Sequence, residues 1–189
     1  MKREFKGKNK IECIGDFCSV DIETTGLSPI YNNIIEIGAV RFREFKPVRK
    51  FQALIRPPLN SSGCYVDKYI SKFTGITNDM LKTAPPIEYV LPKFKDFLGC
   101  DMIVGYNVNF DVNFLYDAFI NILKEPMKND FIDVLRFSRK YLTELEHHTL
   151  TDTINYFGIV NKHAHRAYHD SYVTAQAYIK FCERIKIEG

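Results

Sequence analysis

The stretch FCSVDIETTGL, residues 17–27, reads as a short strand that carries two carboxylates, Asp21 and Glu23, near its end. Asp and Glu are poor strand residues, and an unpaired ionised carboxylate is costly to bury. Two apart on a strand, both side chains stand on one face. Thr24, Thr25 and Gly26 follow at once, so the pair sits where the strand gives way to a turn. Alone, it reads equally as solvated acids at a frayed strand end or as oxygen ligands for Mg²⁺ or Mn²⁺, ions that leave room for substrate phosphates.

Outward from this strand, NNIIEIGAVRFRE reads as a second strand and KFQALIRPP as a third, stopped by Pro57 and Pro58. Three strands in quick succession predict an antiparallel meander. VDKYISKFTGI has helical spacing that ends near Gly75, and PPIEYVLPKFKDFLG continues as a helix that Pro92 is expected to bend or split. CDMIVGYN is then a fourth strand leading into the helix NFDVNFLYDAFINIL. NDFIDVLRFSRKYL gives a fifth strand and another helix, TLTDTINYFG a short helix, and HDSYVTAQAYIKFCERIKI the closing one, opened by Asp170. This half alternates strand and helix, which predicts a mixed α/β sheet covered by helices. No repeat, low-complexity run or linker interrupts the pattern.

The 189 residues suit one domain, and 46% apolar with 26% charged residues is ordinary for a globular core. No apolar run approaches the roughly 18 residues of a membrane span, and the start is too polar for a signal peptide, so a cytoplasmic protein without membrane contact is expected. The five cysteines are scattered without a C-x-x-C pair, which argues against a disulfide framework or zinc site and for free thiols. Net charge is +3, too small to signal nucleic acid by itself. Residues 1–14, with Lys2, Arg3, Lys6, Lys8 and Lys10, read as a basic, frayed N-terminal tail. Residues 15–187 then form the single folded domain.

Further acids come from distant segments. Asp111, in GYNVNFDVNFL, follows the fourth strand, where a lone Asp ordinarily serves a helix dipole. HAHRAYHDSYVTAQAY places His165 five residues before Asp170, an acid that also suits a helix cap. The combination and its order decide. Asp21, Glu23, Asp111, His165 and Asp170 resemble the five residues of the DEDDh branch of the DnaQ-like 3′–5′ exonucleases. VDIETTGL is similar to the first family motif, GYNVNFD to the second and HRAYHD to the third, with TGIT at 74–77 and DVLRFSR at 133–139 as lesser signatures. The likeness runs from about residue 15 to about residue 184 and departs at Tyr106, where relatives often carry His.

The resemblance implies a ribonuclease-H-like fold: a five-stranded mixed sheet, three strands antiparallel and then parallel ones, flanked by helices. It implies two divalent metal ions, Mg²⁺ or Mn²⁺, with Asp21 bridging both, Glu23 and Asp170 completing the first site and Asp111 holding the second. His165 would be the general base, ahead of His169, which lacks the family spacing. Thr24, Thr25 and Gly26 are candidates to hold a terminal 3′-OH, Leu27 and Phe110 to wedge or stack the last bases, and Asn107 to make a polar substrate contact. Core packing is an equal reading for Phe110, and a turn for Asn107. The implied partner is the 3′ end of single-stranded or frayed DNA, with RNA as the alternative substrate. VDIETTGL and the long closing helix look most like the proofreading group, which implies a DNA polymerase as a further partner.

Two readings from other classes compete. A binding module that lost its chemistry is disfavoured because all five positions are filled. QAYIKF, residues 176–181, resembles a sliding-clamp-binding peptide but falls inside an amphipathic helix, where core packing is the better reading. With 19 residues after Asp170, all fitting one helix, the expectation is a free-standing protein, one held by a surface contact, or an excised domain.

Overall fold

The computed structural model describes residues 3–188. The expected meander is present as β2 (Phe17–Thr24), β3 (Ile34–Arg43) and β4 (Lys46–Leu54), all antiparallel. After α1 (Lys68–Thr74), α2 (Asn78–Lys82) and α3 (Ile87–Leu98), β5 (Ile103–Gly105) joins β2 in parallel. Then come α4 (Asn109–Ala118), which runs into a π-helical turn at Phe119–Leu123, and β6 (Phe131–Asp133), parallel to β5. The chain closes with α5 (Val134–Tyr141), α6 (Leu150–Tyr156) and α7 (Ala167–Glu188). Pro92 neither splits nor ends α3.

Among the described residues the sheet has six strands where five were expected, with β1 (Asn9–Lys10) completing the order β1-β6-β5-β2-β3-β4. The extra strand, β1, lies in the segment expected to be a frayed tail and pairs in parallel with Phe131 and Ile132. Lys2 lies outside the described residues, but its basic neighbours are engaged. Arg3 makes a two-pronged bond to the buried Asp117 (2.9 and 2.6 Å), and Lys6 reaches Asn109 and Asn113. The backbone of Lys8 is held through Asp130 and Phe131. Specific partners on α4 and β6 hold the segment, and composition alone does not reveal them.

Alternation along the strands assigns the two faces. Cys18, Val20, Ile22, Ile37 and Ala39 pack under α3 and α4, while Phe17, Val40 and Phe42 pack under α5 and α7. Tyr178 and Phe181 are fully buried in that second layer, so QAYIKF is core and offers no peptide to a clamp. All five cysteines are free, with Cys18 and Cys182 buried and Cys100 exposed. Among the described residues no helix is long and apolar enough to cross a membrane.

One close approach sets the position of α7. A Cβ on Gly38 would lie 2.0 Å from the Tyr168 nitrogen and 2.1 Å from the Ala167 carbonyl carbon, so only glycine lets the helix start lie against β3. Gly38→Ala should therefore destabilise the protein by at least about 2 kcal/mol, since backbone cannot give way as a flexible side chain does. Urea unfolding measures this, and a loss below about 0.5 kcal/mol would show that α7 can lift off without consequence.

Candidate active site

β2 is central, and its odd-numbered residues face α7. Ser19 donates to the Ser171 carbonyl oxygen at 2.7 Å, and Asp21 and Glu23 continue the same face. In register across the meander, Asp21 stands opposite Gly38 and Glu23 opposite Glu36. The α7 start that Gly38 admits brings Asp170 over the pair. Oxygens of Asp21, Glu23 and Asp170 all lie within 4.8 Å of one another. Asp170 does not open α7 as expected. The helix begins at Ala167, whose N–H is taken by the Glu36 carboxylate at 3.1 Å, and Asp170 lies in its first turn.

Asp111 arrives by another route. β5 pairs with β2 only at Cys18 and Ser19, which leaves the Ile22 N–H without a strand partner. A buried N–H needs an acceptor, and the Asp111 carboxylate in the first turn of α4 supplies it at 3.0 Å. That bond brings Asp111 near Asp21, on which it is the largest charge influence.

The cost of this crowding appears in the protonation equilibria. Burial first, then Asp111, Glu23, Asp170 and Glu36, pushes Asp21 well above the usual carboxylate range. Glu23 rises to about 8 through burial and the charges of Asp170, Glu36 and Asp111, with Arg166 opposing. Burial raises Asp111 to about 8 despite its bond from Ile22. Asp170 is also raised by burial, although Asn161 (2.5 Å) and the His165 N–H (2.9 Å) both donate to it. Three buried oxygen donors this close together suit a hard divalent cation, whose charge would offset the burial that chiefly raises them and the repulsion that adds to it at Asp21 and Glu23.

His165 is exposed, has a left-handed backbone (φ 62°), and lies with Asp21, Asp170, Asn107 and Tyr106 along a cleft of about 510 Å³. Its imidazole rests on Phe73, with ring centroids 4.0 Å apart. Phe73 was not singled out from sequence, although it immediately precedes TGIT. Arg166 and Glu36 were also missed, and an acid inside the apolar run IIEIGAV is itself a sign of a hidden partner. Tyr106, in the position often held by His, binds the His148 and Thr149 carbonyl oxygens (2.9 and 3.0 Å) and the Thr153 hydroxyl (2.8 Å), tying β5 to the start of α6.

The candidate substrate contacts differ among themselves. Leu27 is 86% exposed beyond the acids, and Asn107 is exposed with its N–H on Asp133 (2.9 Å). Phe110 is half-buried against Phe114. The Thr24 hydroxyl donates to the Gly26 carbonyl oxygen (2.6 Å), and the Thr25 N–H and hydroxyl are both bonded to the Asn33 backbone.

The raised carboxyls set a direction for stability. Glu23 moves from 4.5 to about 8 and Asp111 from 3.8 to about 8, so the fold retains protons that the unfolded chain has released. Their favourable contribution is complete below about pH 4 and is lost as pH rises through about 8. In EDTA, the thermal midpoint should therefore be lower near pH 9 than near pH 6, and Asp111→Asn or added Mn²⁺ should restore it. A midpoint that stays level or climbs over that range would mean the acids are not destabilised by burial.

The matched family is described as Exonuclease, of the RNase T type, over residues 19–178. The DNA polymerase III PolC-type of Caldanaerobacter subterraneus subsp. tengcongensis is 37% identical over 183 residues, covering 97% of this chain but 13% of that polymerase. Among solved structures, zinc-bound E. coli ExoI in complex with ssDNA superposes with TM-score 0.77 at 19% identity, covering 91% of this chain and 41% of that one. The nuclease domain of 3′hExo, a DEDDh member bound to rAMP, superposes with TM-score 0.74 at 19% identity, covering 90% and 92%. These structural likenesses agree with the ribonuclease-H-like architecture expected from the motifs. With its motif order, its cleft of acids and a family match over most of its length, the chain belongs to the exonuclease family.

Proposed function

We propose that residues 15–187 form a single exonuclease domain that removes nucleotides from the 3′ end of DNA as 5′-monophosphates. The observation that carries this reading is the meeting of Asp21, Glu23 and Asp170 within 4.8 Å in a cleft that also presents His165. Asp21, Glu23 and Asp170 would hold one divalent ion, Mg²⁺ or Mn²⁺, and Asp111 with Asp21 a second; such ions neutralise charge on the scissile phosphate and acidify water. His165 accepts the proton of the attacking water through its exposed imidazole, as the 3′-oxygen departs in line. A cluster mounted on β2 and the first turns of α4 and α7 stays fixed while this happens. Leu27 meets the terminal base, and Asn107 and Phe110 flank the strand beside it. Because the N–H of Thr25 and the hydroxyls of Thr24 and Thr25 are already bonded within the loop, their part is to hold Gly26 and Leu27 in place.

The PolC-type relative and the ssDNA-bound neighbour support DNA as the substrate and proofreading for a replicative polymerase as the setting. The rAMP-bound neighbour supports RNA trimming as the second reading.

Matched 5′-labelled DNA and RNA oligonucleotides, incubated with Mg²⁺, Mn²⁺ or EDTA, test the proposal. The expected result is a metal-dependent ladder shortening from the 3′ end, faster on DNA and absent with Asp21→Ala. His165→Ala should slow it about 10²- to 10⁴-fold without abolishing it. Binding without cleavage of either strand would overturn the reading, and faster loss of RNA would transfer it to the second substrate.

A further inference from the structure

Behind the acidic cluster lies an ion pair to which the proposed chemistry gives no part. Glu36 is fully buried on β3, yet its carboxylate accepts four bonds: from Arg166 Nε (3.1 Å) and Nη2 (2.8 Å), the Ala167 N–H (3.1 Å) and the Gln52 amide (3.0 Å). It stands across the strands from Glu23, and Arg166 immediately follows His165. We propose that Glu36 and Arg166 are positioning residues that fix His165 and Asp170 over Asp21 and Glu23; this rests on the exonuclease reading above.

Geometry supports this role more strongly than stability does. A buried ion pair generally contributes little net stability over well-packed apolar residues of similar size. A planar guanidinium held at two points does, however, fix direction. Here the fork grips the residue between His165 and the first residue of α7, and the same carboxylate caps that residue's N–H. Two residues of backbone at the helix start are thus pinned to β3 at the level of Glu23. His165 is then located from both sides, because its own N–H is bonded to Asp170. Its left-handed backbone turns the chain back into the cleft, with the ring against Phe73. Without the fork, the segment from Asn161 to Arg166 would keep its bonds to Asp170, the His169 N–H on the Arg166 carbonyl oxygen, and the ring contacts of His163 with His169 and of His165 with Phe73, none of which reaches β3.

The test compares wild type with Arg166→Lys and with the paired variant Glu36→Leu/Arg166→Met, which replaces the ions by apolar groups. The paired variant removes both charges together but also the acceptor of the Ala167 N–H, so it should still fold while melting somewhat below the wild type. Its kcat on a short 5′-labelled oligonucleotide should fall about 10²-fold with little change in KM, the scale expected when a reacting group is misplaced by about 1 Å. The imidazole Hε1 resonance of His165, assigned by its loss in His165→Asn, should move, and its broadening by added Mn²⁺ should change. Arg166→Lys, which keeps the charge and the fold but not the fork, should show the same changes in smaller degree. A folded paired variant, or Arg166→Lys if the pair does not fold, that retains kcat within about two-fold and leaves the His165 resonance unmoved would overturn the proposal. If the wild type cleaves no oligonucleotide, the exonuclease reading fails, while the resonance and its Mn²⁺ broadening still decide whether the pair positions His165.

Discussion

The contact between β3 and the start of α7 is the constraint on which the site depends. Gly38 admits the Ala167–Tyr168 backbone to a distance no side chain would allow, and two residues earlier Glu36 binds the same turn through its carboxylate. Because strands β2 and β3 are in register, Asp21 and Glu23 lie beside these two anchor points. One packing decision therefore sets the floor of the cleft and delivers Asp170 to it. Ser19, bonded to the Ser171 carbonyl oxygen, extends the same seam one step further down the strand.

That arrangement places four carboxylates where burial and mutual repulsion disfavour their charged forms. The two apolar layers compensate. Cys18, Val20 and Ile22 pack beneath α3 and α4, while Phe17 stacks on Phe42 and meets Tyr178 of α7 edge-on, with Phe137 joining Tyr178 to Phe181. Burying side chains of this size contributes roughly 1.5–3 kcal/mol each before the entropy of ordering is counted. Such a core can carry a strained polar centre, as sites built for charged ligands commonly require.

How much of this was legible in the sequence follows from the range of each interaction. Asp21 and Glu23 were legible because alternation on a strand is local, and the helices because their caps are local: Gly75 closes α1 where expected, and of the two threonines able to open α6, Thr149 and Thr151, it is Thr149 that caps it. The ribonuclease-H-like sheet and the family followed from the order of the motifs. β1 was not legible, since two residues, Asn and Lys, pair through backbone alone and carry no apolar signature. The start of α7 was misplaced for a related reason. Its first N–H is capped by Glu36, 131 residues away in sequence, whereas Asp170 looked like the local cap. Phe73 lay beside a recognised signature, but only the folded chain brings it to His165.

The site's members differ in how firmly each is held, and that division matters for the chemistry. Asp21 and Glu23 ride on a strand paired on both sides near its start, and Asp111 is fixed by the bond that completes the Ile22 backbone. Groups proposed to share an ion gain from such rigidity, because small errors in donor position weaken every contact at once. His165 sits instead on an irregular segment, exposed, and steadied by one backbone bond and one aromatic face. In the proposed reaction His165, as proton acceptor, needs to meet only one water and must leave room for a strand to enter and a nucleotide to depart. Rigid acids with a tethered imidazole meet both demands in a cleft of about 510 Å³. The tether is short because Arg166, the residue next to the imidazole, is anchored to the same strand pair that carries the acids.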